Sequence, residues 1–419
     1  MRLVIWHGYL LDGTGSNVYT REVAKAWAAL GHDVRVICAE PRPEEAAPAG
    51  VRAIRPDFGP LLPVFVVDDY EGVTARHVAA MSEAELGRYL DANVQVLREE
   101  LDREPAAAVL ANHAIMGGPV ARAGCAASGA PYGLKLHGSE LEYAIRGEPR
   151  LAAMARPGVD GAAAVFAGSQ HIVDVAGELL GDGPYQDRLA IVPPGVDTDA
   201  FRPDGGSLAD ACRLLDADPR AGRTERAPDV GAGARLAGLG RFVLYVGKLI
   251  PEKGVDILLD AWREAGRRHP DLTLVVVGFG PQRAALEAAA PPGTLFTGAM
   301  DHRQLQRLVP LAETVVVPSQ LAEAFGMIAA EAAACGVPPV VADHSGLAEV
   351  ARALGDAAVA VDGGAGDYAA ALDRMLELTA DQRRHLSATA RRVSVERWSW
   401  WGVGQRLIDA MLAPSDGHA

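Results

Sequence analysis

Apolar positions open the chain as a short run, Leu3 to Trp6, followed by a Gly-rich loop from Gly8 to Ser16. They recur at helical spacing over Asn17 to Leu30, stop at Gly31 and return as a second run over Val34 to Cys38. Strand, helix and strand in that order predict a βαβ unit. Residues 41–60, rich in Pro and Ala, read as loop, and Glu83 to Glu100 predicts a helix. Ala107 to Ala111, Tyr132 to Leu136, Ala162 to Ala167 and Ala190 to Val192 predict further strands.

The pattern lapses over 204–240, where Gly, Asp, Arg and Ala follow no period, and an insertion or linker is expected there. It restarts with strands over Phe242 to Val246, Leu272 to Val277, Thr314 to Val317 and Pro339 to Ala342, and a helix over Val255 to Arg268. Unbroken Val-rich runs between helices predict parallel strands covered on both faces. The expected fold class is α/β: two facing, doubly wound, Rossmann-like domains with an interdomain cleft, binding ligands at the carboxyl ends of their strands. The expected division is a first domain over 1–203, the linker 204–240, a second domain over 241–395, and a C-terminal helix over 396–419 packing back on the first domain. Arg391 to Met411 reads as one long helix whose Trp398, Trp400 and Trp401 serve packing rather than recognition.

Composition narrows the function. A chain of 419 residues exceeds what one core usually organises. Its 40 basic and 54 acidic residues give a net charge of −14 without a dense Lys/Arg tract, which speaks against a nucleic-acid partner. Cys38, Cys125, Cys212 and Cys335 stand far apart, with neither metal-ligand spacing nor a disulfide framework, and imply a reducing, cytoplasmic setting. His7, Gly8 and Asp12 break the N-terminal apolar stretch, which reads as a first strand rather than a signal peptide. Without an apolar run of about 18 residues no transmembrane segment is expected, while peripheral membrane contact stays open, as does oligomeric state.

Candidate chemistry concentrates in Glu323-Ala324-Phe325-Gly326-Met327-Ile328-Ala329-Ala330-Glu331, after the strand Thr314 to Val317. At about 100° per residue the two glutamates fall on different lines of one straight helix, so they serve a common ligand only if Glu323 precedes the helix. The Phe325, Gly326 and Met327 amides then lie near a helix N-terminus, which suits sugar hydroxyls or phosphate. Glu331, in an Ala-rich helix, needs a partner, and a ribose diol supplies donors. Read alone, the pair suits equally well a reading without function, with Glu323 a loop carboxylate near a helix start and Glu331 a partly exposed helix residue. Lys248 and Lys253, within Gly247 to Gly254 at the end of the first strand of the same domain, add two cations where a diphosphate would bind. In the first domain His137 ends the strand in Leu134-Lys135-Leu136-His137, and His113 follows Ala111. A lone histidine there is more often a hydrogen-bonded core residue. The dinucleotide fingerprint is incomplete, since Val18 stands where a third glycine would follow Gly13 and Gly15, which disfavours an oxidoreductase.

The order of motifs resembles family 4 of the retaining glycosyltransferases, with the GT-B architecture. The likeness runs through Val192-Pro193-Pro194-Gly195-Val196-Asp197 with Phe201-Arg202-Pro203, Gly247 to Gly254, Gly278-Phe279-Gly280-Pro281, Glu323 to Glu331, and Ser345-Gly346-Leu347-Ala348-Glu349. It implies a nucleoside diphosphate sugar as co-substrate, a UDP-sugar such as UDP-GlcNAc or UDP-Glc, with no further cofactor and no metal. It implies that Lys248 and Lys253 hold the diphosphate, Glu331 the ribose, and Glu323 with the Ala324 to Met327 segment the sugar hydroxyls. Gly15, Gly247 and Gly278 border the donor, and the residues around Phe296 to Met300 the nucleobase. His137 faces the transferred sugar and, with Glu323 and Lys253, belongs to the catalytic group; Gly13, Thr14 and His113 fall on the acceptor side. Lys248 replaces the family's usual Arg, losing the flat bidentate contact of guanidinium. Gly13-Thr14-Gly15 replaces its adjacent glycines. The implied reaction moves the sugar, with retention, to a hydroxyl of a small-molecule or glycoconjugate acceptor. A sugar-nucleotide epimerase of similar architecture and a silent sugar-nucleotide binding protein are the alternatives.

Overall fold

In the computed structural model, which describes residues 1–11, 15–65, 73–204, 207–224 and 226–413, the chain divides into two units. Unit 1 runs from Met1 to Gly195 and resumes at Trp400; unit 2 is Val196–Ser399.

Unit 1 carries β1 (Arg2–Trp6), β2 (Asp33–Ile37), β3 (Val51–Ile54), β4 (Leu61–Val64), β5 (Thr74–His77), β6 (Ala108–Asn112), β7 (Tyr132–Lys135), β8 (Ala164–Ala167) and β9 (Leu189–Ile191). Seven of these form one parallel sheet in the order β3-β2-β1-β6-β7-β8-β9, and β4 and β5 pair separately. Leu3, Val4, Ile5 and Trp6 are all fully buried, as expected of a strand covered on both faces. The helix Gly15–Ala29 lays Val23, Ala24 and Trp27 on that sheet. The helix Glu83–Arg103 starts at a capping box made by Ser82 and Glu85.

Unit 2 carries β10 (Arg241–Val246), β11 (Leu272–Val277), β12 (Thr294–Phe296), β13 (Thr314–Val317), β14 (Pro339–Ala342) and β15 (Val359–Val361). They form a parallel sheet in the order β12-β11-β10-β13-β14-β15, the doubly wound arrangement in which the strand order reverses beside the first strand.

Four expectations are corrected. The first domain ends at Gly195 rather than residue 203: Val196 already donates its N–H to the Trp398 carbonyl at 2.6 Å within unit 2. The stretch 204–240 is no linker. It contains the helices Leu208–Asp216 and Ala232–Leu236, whose Cys212, Leu215 and Leu236 pack with Phe201 and Phe242. Two helices this short offer too few apolar positions to show a period. Residues 41–60 include the short helix Pro43–Ala46 as well as β3. The long C-terminal helix is two, Ala380–Trp398 and Trp400–Leu412, separated by extended Ser399 with φ −60° and ψ 137°.

That break divides the tryptophans. Trp398 packs in unit 2 against Phe325, at 5.6 Å between ring centres, and Trp400 in unit 1 against Tyr19, also at 5.6 Å. Trp401 is 62% exposed. Val403, Leu407, Ile408 and Met411 enter the unit 1 core, and Trp27 Nε1 donates to the Gly404 carbonyl at 2.9 Å. Among the described residues no helix is long and apolar enough to cross a membrane.

Because Leu236 is fully buried, Leu236→Ala is expected to destabilise unit 2 by about 2–5 kcal/mol in denaturant unfolding, the range of core truncations. A loss below about 0.5 kcal/mol, as at an exposed position, would return the segment to the status of a linker.

Candidate functional site

The reversal of strand order in unit 2 falls between β10 and β13, and the two loops leaving their carboxyl ends are tied together by backbone contacts. Gly278, directly after β11, lets the loop after β10 lie against it, since a Cβ there would stand 1.9 Å from the Gly247 carbonyl oxygen. Gly254 has φ +64°, and a Cβ on it would stand 2.1 Å from the Pro318 carbonyl oxygen. Only glycine satisfies both conditions at 254. The Glu252 carbonyl then accepts the Gln320 and Leu321 N–H groups at 2.7 and 3.0 Å.

This tie brings Lys253 Nζ onto Glu323 Oε1 in an ion pair. The two side chains are 22% and 23% exposed, so the pair is worth more than a fully solvated one, though screening still weakens it. A ring of hydrogen bonds fixes Glu323. Ser319 Oγ donates to Oε1 at 3.0 Å, and the Glu323 N–H donates to Ser345 Oγ at 2.9 Å. Ser345 Oγ lies 3.2 Å from His344 Nδ1, and His344 Nε2 lies 2.8 Å from the Ser319 carbonyl. Since that carbonyl can only accept, Nε2 carries a proton, and in the neutral ring Nδ1 accepts from Ser345. Ser345 holds φ +53°, a conformation L-residues seldom adopt, at the start of the helix Ser345–Leu354.

Glu323 precedes the helix Met327–Ala334, whose N-cap Gly326 has φ 107°. The geometric condition on the two glutamates is therefore met. Ala324 and Phe325 run beside Gly346, where a Cβ would meet Phe325 Cα at 2.5 Å. Glu331, 5% exposed, has a partner the sequence did not offer: His302 Nε2 at 3.3 Å from Oε1, at the start of the helix His302–Leu308. Lys248 is exposed at the end of β10, its carbonyl accepting from Tyr245 Oη at 2.9 Å. The Phe296 to Met300 segment is backed by residues from the supposed linker: the Thr297 carbonyl accepts the Asp229 N–H at 2.8 Å, and the Ala299 N–H donates to the Ala227 carbonyl at 3.0 Å. Arg283 grips Asp229 through two bonds of 2.8 and 2.6 Å.

In unit 1 the reversal falls between β1 and β6, and three histidines follow strand ends there: His7 after β1, His113 after β6 and His137 close after β7. The rings of His113 and His137 stand 4.6 Å apart and those of His7 and His113 5.9 Å apart. His137 Nε2 contacts Asn112 Oδ1 at 2.7 Å, and its N–H donates to Glu140 Oε1 at 2.9 Å. His7 Nε2 contacts Asn17 Oδ1 at 3.0 Å. Burial, then the neighbouring His113, Lys135 and His7, holds His137 well below the usual imidazole range. Burial and His113 take His7 down to about 3. Burial pushes Lys135 down to about 7 against the pull of Glu140, and its Nζ donates to the Val192 carbonyl at 2.7 Å. Gly15 opens the helix Gly15–Ala29 at an exposed position, while Gly13 and Thr14 lie outside the described residues. His7, Asn112, Glu140, His302, Ser319 and His344 were not legible as site residues, because each owes its place to a partner distant in sequence.

Residues 235–393 match the family described as Glycosyl transferases group 1, and residues 13–200 that described as Glycosyltransferase Family 4. A D-inositol 3-phosphate glycosyltransferase of Frankia alni is 32% identical, over 93% of this chain and 92% of its own. A GDP-mannose-dependent alpha-(1-6)-phosphatidylinositol monomannoside mannosyltransferase of Mycolicibacterium smegmatis is 33% identical over 53% of this chain and 56% of its own. Among solved structures, sucrose-phosphate synthase from Thermosynechococcus elongatus superposes with a TM-score of 0.65 at 18% identity, covering 97% of both chains. Anabaena HepE in complex with UDP and glucose gives a TM-score of 0.67 at 17% identity, covering 98% of this chain and 99% of its own. At such identities these two likenesses concern the fold, which is GT-B.

The buried lysine yields a prediction with a definite sign. Between its folded value of about 7 and its ordinary value of 10.5, Lys135 is protonated in the unfolded chain and neutral in the folded one. Its contribution therefore lowers stability as pH falls through that window and levels off below it. The stability advantage of Lys135→Met over the parent should grow between about pH 10 and about pH 7 in denaturant unfolding. A difference independent of pH would contradict the burial of a titrating amine.

Proposed function

This chain belongs to the group 1 and family 4 glycosyltransferases, and on that premise we propose that it is a retaining enzyme that uses a UDP-sugar to glycosylate a hydroxyl of a small-molecule or glycoconjugate acceptor. The observation that carries this reading is the Lys253–Glu323 pair at the reversal point of the unit 2 sheet, held by Ser319, Ser345 and His344. A cation and a carboxylate in contact suit a ligand with adjoining diphosphate and hydroxyls. Lys253, with Lys248, meets the diphosphate; Glu323 accepts from sugar hydroxyls, and Glu331 from the ribose. Support for UDP comes from HepE, solved with UDP and with UDP-glucose. The GDP-mannose dependence of the Mycolicibacterium relative makes GDP the competitor to test.

In the proposed reaction the acceptor oxygen attacks the anomeric carbon from the face the diphosphate leaves, and the departing phosphate oxygen takes the hydroxyl proton. The bond to the diphosphate breaks as the new glycosidic bond forms, and the configuration is kept. Charge gathering on the leaving group is stabilised by the two lysines and by the N-terminus of the helix Met327–Ala334, without a metal. On the acceptor side the family likeness points to His113 with Gly13 and Thr14, and it aims His137 at the sugar. All four cysteines are free and buried, which fits the cytoplasmic setting proposed for the enzyme.

Incubation with UDP-glucose, UDP-GlcNAc and GDP-mannose, with an acceptor panel, should release UDP and give an α-linked product by NMR. Glu323→Gln should lower kcat by about 100-fold, as loss of a transition-state contact does. Glu331→Ala should raise the donor KM about tenfold, equivalent to about 1.4 kcal/mol. An inverted product, or ordinary turnover by both variants, would sink the proposal. An epimerised donor accumulating without acceptor would favour the epimerase.

A further inference from the structure

His113 has features that packing alone does not require. It is a non-glycine residue at φ +67°, opening the π-helical turn His113–Gly117 directly after β6. Strain of this kind persists where the surroundings enforce it, and it clusters at functional sites. Its Nδ1 lies 3.2 Å from Glu140 Oε2, with both side chains at most 1% exposed. Burial opposes ionisation of Glu140, but His113 and the backbone N–H groups of His137 and Glu140 outweigh it and hold the carboxyl below its usual range. A carboxylate only accepts, so in the neutral ring the proton of His113 sits on Nδ1. Nε2 is thereby the nitrogen left for another partner, and it is buried with no hydrogen-bond partner among the described residues.

A second polar atom nearby is in the same condition. Tyr19 Oη is buried without a hydrogen bond among the described residues, and its ring lies 5.1 Å from that of His137, the neighbour of His113. Buried polar groups in native proteins are almost always paired, and such exceptions within one cluster of rings mark a place where a ligand completes the bonding. The cation beside these rings is occupied. Lys135, which faces the Tyr19 ring, donates to the Val192 carbonyl. The ligand group that suits this surrounding is a neutral hydroxyl.

We propose that Glu140 is a positioning residue that fixes His113 in its Nδ1–H form, so that His113 Nε2 accepts a hydrogen bond from a hydroxyl of an uncharged polyol acceptor. This deepens the transferase reading and rests on it. The attacking hydroxyl gives its proton to the diphosphate in that reaction, so the hydroxyl held by His113 is a different one on the same acceptor. The acceptor therefore bears at least two hydroxyls. No proton is transferred to His113.

The test uses the full chain labelled with [15N]histidine, with UDP bound, and myo-inositol, glucose, N-acetylglucosamine and an inositol monophosphate as probes. The His113 resonances, assigned with His113→Gln, should show Nδ1 protonated and Nε2 bare. An uncharged polyol should shift the Nε2 signal, and the phosphorylated probe should bind no more tightly than myo-inositol. Glu140→Gln keeps the shape but offers one acceptor oxygen to two donors. It should mix the two ring tautomers and lower about tenfold the ratio of sugar transferred to polyol over sugar lost to water, by raising the polyol KM more than it lowers kcat. Glu140→Asp should recover part of that ratio. An Nε2–H ring in the parent, an Nε2 signal that no uncharged polyol moves, tighter binding of the phosphate, or an unaltered ratio in Glu140→Gln would each overturn the inference. Loss of UDP binding or of donor turnover in the parent would instead count against the transferase reading, and the tautomer would still be read.

Discussion

The contact on which unit 2's candidate site depends is the ion pair of Lys253 with Glu323, and it exists because two backbone segments approach without side chains between them. Any residue but glycine at 254 would strike the Pro318 carbonyl. Once the loops touch, the Glu252 carbonyl gathers two N–H groups from the second loop, and Glu323 falls beside Lys253. The carboxylate is oriented by Ser319, while its backbone is held by Ser345 and Gly346. A group fixed from both ends loses little further freedom when a ligand arrives, which is the physical content of preorganisation.

Unit 1 reaches a comparable arrangement with different residues. Its sheet also reverses order beside the first strand, and the residues after β1, β6 and β7 form a cluster of histidine rings. Burial drives His7 and His137 toward the neutral state. Glu140 accounts for one nitrogen of His113, and the strained backbone after β6 accounts for its placement. The two units thus share a topology and differ in chemistry: a lysine–carboxylate pair in unit 2, a histidine cluster against a buried carboxylate in unit 1.

Much of the fold was readable because the parallel strands are continuous apolar runs. The strands Leu272–Val277, Thr314–Val317 and Pro339–Ala342, and the helix Val255–Arg268, have the bounds the pattern implies. What escaped was short or set by tertiary contact. β12 and β15 have three residues each, the helices of 204–240 are brief, and Ser399 breaks an otherwise helical stretch without Pro or Gly to announce it. The positions of Glu323, Lys253 and Glu331 followed from strand ends and helix geometry. Their partners Ser345, His344 and His302 did not, since no local pattern marks which distant side chain will meet a carboxylate.

The account stands or falls on whether Lys253 belongs to a diphosphate site. Calorimetric titration of UDP into the parent and into Lys253→Ala measures this most directly. The account predicts one saturable UDP site per chain in the parent and binding weakened at least about tenfold in the variant, roughly 1.4 kcal/mol. Equal affinity for the two proteins, or no UDP binding by the folded parent, would contradict it.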